Sequence, residues 1–476
     1  MTLGILVCAS ACATPLAPGY TVEKEEREIR FVPVEPARID VRGQFALRNT
    51  GTTELRFIDI DLPAEQTFGR KNLRAQLGGR DAEAANLPEE LQHDHPNARR
   101  ITFSEPWARG QRRELSVEYE LSQPADPGYR ITVGGNDFHL GSRGWAALPQ
   151  PPMHFLAPYP KRPDKMMYTV RVPSDFLVLA RGKTAGRKRE GGEAIYRYQL
   201  RTNDLAVFVV GGRYVETALR QNSGTVVFWT LKPLGGDTGA GAERIAQAWA
   251  TLQNDFGEFD ANIHAPHIVE SPEVRARAGE DAAAAVAFPG GALVNEQALA
   301  LGISSDEFVE RVTHALARNW FGDEMYPAPD AALAIGEGLP EYATIVVDEA
   351  RNGAGARQKR IEDYLRRYDA AAKQAVEKPL GVTTMTDPPE QQRIALAKAP
   401  LMYAALEDQC GEAPVRAGLR QLVSLLRGEE VGINDLRAAV EPTCGKDLGE
   451  FFRTWMYAKG IPQDFRARYG SSSRGD

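Results

Sequence analysis

Near Gly236 the hydrophobic period of the chain changes from two to about 3.6, and this switch constrains the fold more than any other feature. From about Tyr20 to Val215, short alternating runs are punctuated by Gly, Pro, Asn and Asp. Residues 44–48, 114–119, 168–172 and 205–210 each place β-branched or aromatic side chains on one or both faces of a strand, which predicts an all-β half. Beyond the switch, Ile245, Trp249, Leu252 and Phe256 mark one face of a helix, and helical segments continue to about Lys459. Ser304-x-x-Glu307 reads as a capping box opening a helix that runs to Trp320, and Asn352-Gly353-Ala354-Gly355 separates two further helices. The second half is therefore expected to be mainly α, and the whole chain α+β. A length of 476 residues suits two to four domains at roughly 150 residues each. The expected segments are a leader at 1–19, a β domain at 20–215, a core at 216–350, a helical part at 351–465 and a disordered polar tail at 466–476.

The leader carries a short apolar run, Leu3 to Ala11, that ends in small residues before Cys12 and then turns polar. This pattern resembles the end of a bacterial lipoprotein signal and predicts export, with Cys12 as the lipidated first residue of a protein on the periplasmic side of the cell envelope. No later run approaches the roughly 18 apolar residues of a spanning helix, so the expected membrane contact is the anchor at Cys12. Lys plus Arg number 57 against 64 Asp plus Glu, a net charge of -7 with no long block of one sign, which argues against a nucleic-acid partner. With Cys8 and Cys12 in the leader, Cys410 and Cys444 are the two cysteines of the body, each at a break between helical stretches. An exported chain permits a disulfide between them, worth about 3 to 4 kcal/mol for a loop of this size; two buried thiols are the alternative.

Several chemistries lack their motifs. There is no G-x-S-x-G elbow, and Gly182-Lys183-Thr184 has Leu177 where a phosphate-binding loop needs its first Gly, so it reads as a hairpin turn. His93-Asp94-His95 and His264-x-x-His267 have no partner at helical spacing and read as surface-loop histidines. The mixed-charge stretch from Arg357 to Lys378 reads as a solvated helix face.

One constellation is specific. Residues 312–322 read Val-Thr-His314-Ala315-Leu-Ala-Arg318-Asn-Trp320-Phe321-Gly322, followed by Gly336-Glu337-Gly338. This resembles the gluzincin aminopeptidases of peptidase family M1, whose signature is H-E-x-x-H-x-W-F-G and then, eighteen residues after the second His, a Glu inside N-E-G. Eighteen residues lie between Arg318 and Glu337, and Trp320-Phe321-Gly322 and Glu337-Gly338 match. Asp255-Phe256-Gly257, Gly411-Glu412, Lys446-Asp447-Leu448, Phe451-Phe452 and Trp455 extend the resemblance over roughly residues 20 to 465. It implies an N-terminal β-sandwich-like saddle domain, a mainly α thermolysin-like domain, and an end before the large C-terminal domain many relatives carry. Trp320, Phe321 and Trp455 are expected in the core.

The resemblance also locates what differs. In the signature, two His one helical turn apart bind zinc and the intervening Glu is the base. Here those positions read His314, Ala315 and Arg318. A methyl takes no proton, and a guanidinium offers no lone pair and stays charged. Glu337 keeps the third ligand position, so the remnant ligands are His314 and Glu337. The Glu that holds the substrate's free amino group in the family falls on Ala287, with Glu296 in its place only if the register slips. The Tyr that supports the oxyanion falls on Leu396, two residues before Lys398. The leading expectation is a catalytically silent homologue, without cofactor, whose groove at His314, Arg318, Glu337 and Glu341 takes a peptide or protein ligand in a binding or scaffolding role. Arg318 is expected to pair with Glu337, with Glu341 as second acceptor. The alternatives are an active zinc aminopeptidase with its metal shifted onto His314, Glu337 and Glu341, and a structural subunit with no ligand.

Overall fold

The computed structural model describes residues 19–92, 95–124, 131–141, 144–149, 163, 166–201, 207–259, 263–272, 274 and 283–470. The leader with Cys8 and Cys12, His93, Asp94, Leu205, Ala206 and residues 471–476 lie outside these.

The period-two half folds into β-sheets. An eight-stranded sheet has Tyr20–Val32 at its centre, antiparallel to Arg38–Asn49 and parallel to Met166–Pro173, with Ile29 opposite Val170. Along Arg38–Asn49, Ile39, Val41, Phe45 and Leu47 point inward while Arg42, Gln44 and Arg48 stay on the open face, the alternation a one-sided sheet requires. A four-stranded sheet built on Val209–Gly212 and Asp137–Leu140 covers the inner face, and Phe31 stacks on Phe138 at 4.8 Å between centroids. Gly182 is not a hairpin. Leu177–Ala180 pairs in the smaller sheet and Lys183–Glu190 in the larger, so the chain crosses from one layer to the other at this residue, whose φ is 105°.

The second half is mainly α but opens on a sheet that the periodicity did not foretell. Five strands run in the order Val215–Gln221, Gly224–Thr230, His267–Glu270, Gly291–Val294, Ala285–Phe288, the last antiparallel at the edge. These strands hold only four to seven residues, too few for a period to declare itself between loops. His267 therefore lies on a strand, edge-on to Trp229, rather than in a surface loop; His264 is an exposed loop residue.

The helix Gly239–Phe256 buries Ile245, Trp249, Leu252 and Phe256 as its spacing requires. The next long helix is Asp306–Arg318, and its cap is Ser305, whose side chain accepts from the Phe308 N–H at 3.1 Å. Ser304, the expected cap, instead accepts from Gly241 N–H and donates to the Asp237 carbonyl, at the start of the neighbouring helix. The α-helix ends at Arg318, and a wider turn, Asn319–Asp323, carries Trp320 and Phe321 into the core. Trp320 meets Trp249 at 5.1 Å and Phe259 at 5.3 Å, and Trp455 is also buried. Gly353 breaks the chain between Gly338–Asn352 and Ala354–Ala372.

Two expectations about the C-terminal part need correction. The Ala354–Ala372 helix is solvated on one face only: Arg357, Ile361, Tyr364, Leu365 and Tyr368 are buried, a stripe at helical spacing beneath the charges. The tail is helical over Gln463–Tyr469, where Phe465 packs edge-on against Trp455 and Tyr469 is buried. Cys410 and Cys444 are bonded, tying the end of Pro389–Cys410 to the end of Ile433–Cys444. Among the described residues no helix is long and apolar enough to cross a membrane.

The two halves meet through a small apolar cluster that includes Phe208, Val210, Tyr214, Trp229 and Phe288. Buried polar contacts flank it: Arg181 reaches Glu324 at 2.7 Å, Arg427 reaches the same carboxylate at 2.9 Å, and Thr132 bonds both His139 (2.9 Å) and Ser271 (3.3 Å).

Candidate functional site

The site is assembled from two helical stretches and braced by a third. His314 and Arg318 are one turn apart on the same face of Asp306–Arg318, while Phe308, Val312, Ala315 and Leu316 fill the core on the other. Ala315 is fully buried. Glu337 closes the turn Ala332–Glu337 and starts the helix Gly338–Asn352, which puts Glu341 one turn beyond it. A side chain at position 338 would bring its Cβ within 2.5 Å of Ala399, so the glycine after Glu337 permits the close approach of Pro389–Cys410.

The four groups form two rungs. The Arg318 guanidinium bonds the Glu337 carboxylate, as the preserved spacing predicts. His314 Nδ1 lies 3.3 Å from Glu341 Oε1, and the Tyr364 hydroxyl donates to the other oxygen of Glu341. Glu341 thus belongs to His314 and Tyr364, not to Arg318 as its expected second acceptor. Burial alone would push the Glu341 carboxyl up, but the His314 charge and the hydrogen bonds from His314 and Tyr364 outweigh it and bring the pKa to about 2. Burial likewise pulls the His314 imidazole down, and Glu341 more than reverses this, so His314 titrates above its ordinary value. Glu337 is 8 % exposed at its side chain and Arg318 28 %, so the first rung is largely removed from water and the pair is reachable from the arginine side.

Of the other expected positions, Ala287 lies half-buried on the edge strand Ala285–Phe288, opposite Ala292. Glu296 lies past the end of the neighbouring strand, at the start of a short helix capped by Asn295, so the register does not bring it to position 287. Leu396 is half-buried in Pro389–Cys410 and packs against the core. Lys398 is buried there and donates to Glu377 and the Ala458 carbonyl.

Three positioning groups escaped the sequence reading. Tyr364 lies in the mixed-charge stretch expected to be a solvated face; its apolar spacing with Ile361, Leu365 and Tyr368 is the sequence signal that marks it. Asn319 donates to the Gly291 and Ala315 carbonyls at 3.2 Å and accepts from Gly290 N–H, fastening the helix end to the turn after the edge strand. Gly291 has no room for a Cβ, which would fall 2.0 Å from the His267 carbonyl oxygen. Glu407 binds Tyr342, Arg357 and Arg416, holding together the helices that deliver Glu341 and Tyr364. No sequence signal marks Glu407, since its partners come from three separate helices. Among the described residues, no cluster of three or more His, Cys, Asp or Glu side chains is placed to hold a metal ion.

No family model and no curated protein sequence matches the chain. Solved structures do. The crystal structure of an M1 zinc metallopeptidase from Deinococcus radiodurans superposes with a TM-score of 0.64 and 18% identity, covering 93% of this chain and 95% of that one. A mutant of that enzyme bound to a Tyr-Ser-Ala substrate gives the same TM-score and coverage. Legionella pneumophila aminopeptidase A, in complex with aspartic acid, has a TM-score of 0.65 and 15% identity over 94% of this chain and 50% of its own. The β-rich N-terminal domain followed by a helical domain is therefore the fold of the M1 zinc metallopeptidases.

Proposed function

We propose that this chain is a catalytically silent homologue of the M1 aminopeptidases whose groove binds a peptide or protein segment at the bacterial cell envelope. The observation that carries the reading is the contact between Arg318 and Glu337. Zinc needs lone pairs from about four ligands, and here a permanent cation without one sits on the carboxylate that would be the third ligand. Position 315, where the family's base stands, is a buried methyl, and positions 287 and 396 offer neither an amine anchor nor a phenol. The donor set as it stands does not suit a dication. General acid–base help alone is typically worth about 10² to 10⁴ in rate, so these losses together leave little of a peptidase. Lipidation at Cys12 and an envelope location complete the proposal.

The test combines turnover, metal content and binding. Protein purified without chelator should hydrolyse no aminoacyl-arylamide or peptide above the blank and should carry substoichiometric zinc. A peptide library should yield ligands whose binding is lost in Ala287→Trp, which places a large side chain on the half-buried edge strand Ala285–Phe288. One observation favours the active alternative: Glu341 stands beside His314, so a nitrogen and a carboxylate are already together. Turnover that survives repurification and disappears in Glu337→Gln would establish that alternative. A folded protein that binds no peptide would leave the structural-subunit reading.

A further inference from the structure

A cavity of about 210 Å³ opens between the helix Gly239–Phe256, the hairpin turn at residues 222–224 and the loop that carries His264. Ala246, Trp249, Ala250 and Gln253 line it at the i, i+3, i+4, i+7 spacing of one helix face. Ala246 and Trp249 are buried and form its floor, while Asn254 and His264 are exposed and form its rim. Trp249 is 4 % exposed, and its indole N–H is buried with no acceptor among the described residues. Its neighbour Trp320, 5.1 Å away between ring centroids, donates the same group to the Gly257 carbonyl at 2.9 Å. A buried donor without a partner is costly, and the rings packed on Trp249, those of Trp320 and Phe259, carry no acceptor oxygen. The cavity is where a bound molecule can supply one. From this arrangement we propose that the cavity is a binding site for one uncharged sugar unit. The indole N–H only donates, so the ligand group at the floor must accept, as a hydroxyl or ring oxygen does. Toward the rim, the Thr225 hydroxyl, the Gln253 and Asn254 carboxamides and the His264 imidazole have no intramolecular hydrogen bond from their side chains among the described residues. Each of these groups can both give and take a hydrogen bond, and so can a sugar hydroxyl. No acid, ammonium or guanidinium lines the cavity among the described residues, so an ionic ligand would leave water without a counter-charge. Ala246, Ala250 and the indole offer apolar surface to the C–H face of a ring, and the volume lies below the roughly 300 Å³ at which pockets for larger ligands begin. The cavity shares no residue with His314, Arg318, Glu337 or Glu341, so this binding is separate from the groove.

The experiment is titration calorimetry of the full chain with methyl glycosides of neutral hexoses, with N-acetylhexosamines and with neutral disaccharides. Glucuronic acid and acetamide are the controls for a charged sugar and for a plain amide. At least one neutral sugar should bind saturably, and neither control should. Trp249→Phe keeps a ring but removes the N–H, and should weaken binding about tenfold. Because Trp249 belongs to the core, two variants outside it keep the proposal falsifiable if that one fails to fold. Gln253→Ala, at a half-buried position, should weaken binding about tenfold, and Ala250→Leu, which adds bulk to the wall, should abolish it, both without a change in unfolding temperature. Absence of saturable binding by every neutral sugar, binding that is unchanged in both Gln253→Ala and Ala250→Leu, or binding of glucuronic acid or acetamide as tight as that of the neutral sugars overturns the proposal. Peptide binding by the groove is read separately, and its outcome does not bear on this cavity.

Discussion

At the scale of single residues the first rung matters most. Glu337 is nearly closed off from water, and leaving its carboxylate without its guanidinium incurs most of the desolvation penalty. Arg318→Ala should therefore cost about 2 kcal/mol of stability, at the low end for a buried pair because the arginine is partly exposed. The double change Arg318→Ala with Glu337→Gln should cost less than the single one, because no charge is left behind. Urea unfolding of the wild type, both single variants and the double variant checks this; a double variant no more stable than Arg318→Ala would mean that the pair carries no coupling energy. Both rungs were partly legible in the sequence: His314 and Arg318 are four apart, as are Glu337 and Glu341. Which carboxylate meets which cation was not, because spacing along a helix is silent about the direction in which a second helix passes it.

At the scale of elements, helix ends and a covalent tie set local stability. Ser305 satisfies a first-turn N–H of the helix that carries His314 and Arg318. Ser305→Ala should cost about 1 kcal/mol. In a folded background its effect should appear as faster amide exchange in the first turn of that helix, whereas Ser304→Ala should act on the start of Gly239–Phe256. The Cys410–Cys444 bond closes a sequence separation of 34 residues, and replacing both cysteines by serine should cost about 3 to 4 kcal/mol. Unfolding with and without reductant checks this, the double serine variant being the one that should no longer respond. The bond ends the helix in which Glu407 gathers Tyr342, Arg357 and Arg416, so its loss should loosen the brace behind Glu341 before it disturbs the β domain.

At the scale of the whole molecule, the two halves are joined by polar groups without exposed side chains as well as by an apolar cluster. Glu324 is inaccessible to solvent and is held by Arg181 from the β half and Arg427 from the helical half. Glu324→Gln should cost about 3 kcal/mol by leaving Arg181 buried without its carboxylate. Calorimetry should then resolve two transitions where the wild type shows one, and a single transition at unchanged temperature would remove this contact as the coupling element. What the sequence determined by itself was local: the switch of period that separates sheet from helix, the helix faces of residues 245–256, the break at Gly353, and the spacing that aims Arg318 at Glu337. These follow from side-chain periodicity, which the chain carries residue by residue. The tertiary structure alone decided the five short strands after residue 215, the passage of the chain between layers at Gly182, the buried face of Ala354–Ala372 and the pairing of Glu341 with His314 and Tyr364. Each of these depends on groups far apart in the chain meeting in space, and burial changes the energy of a charge or a hydroxyl only once the fold has removed its water.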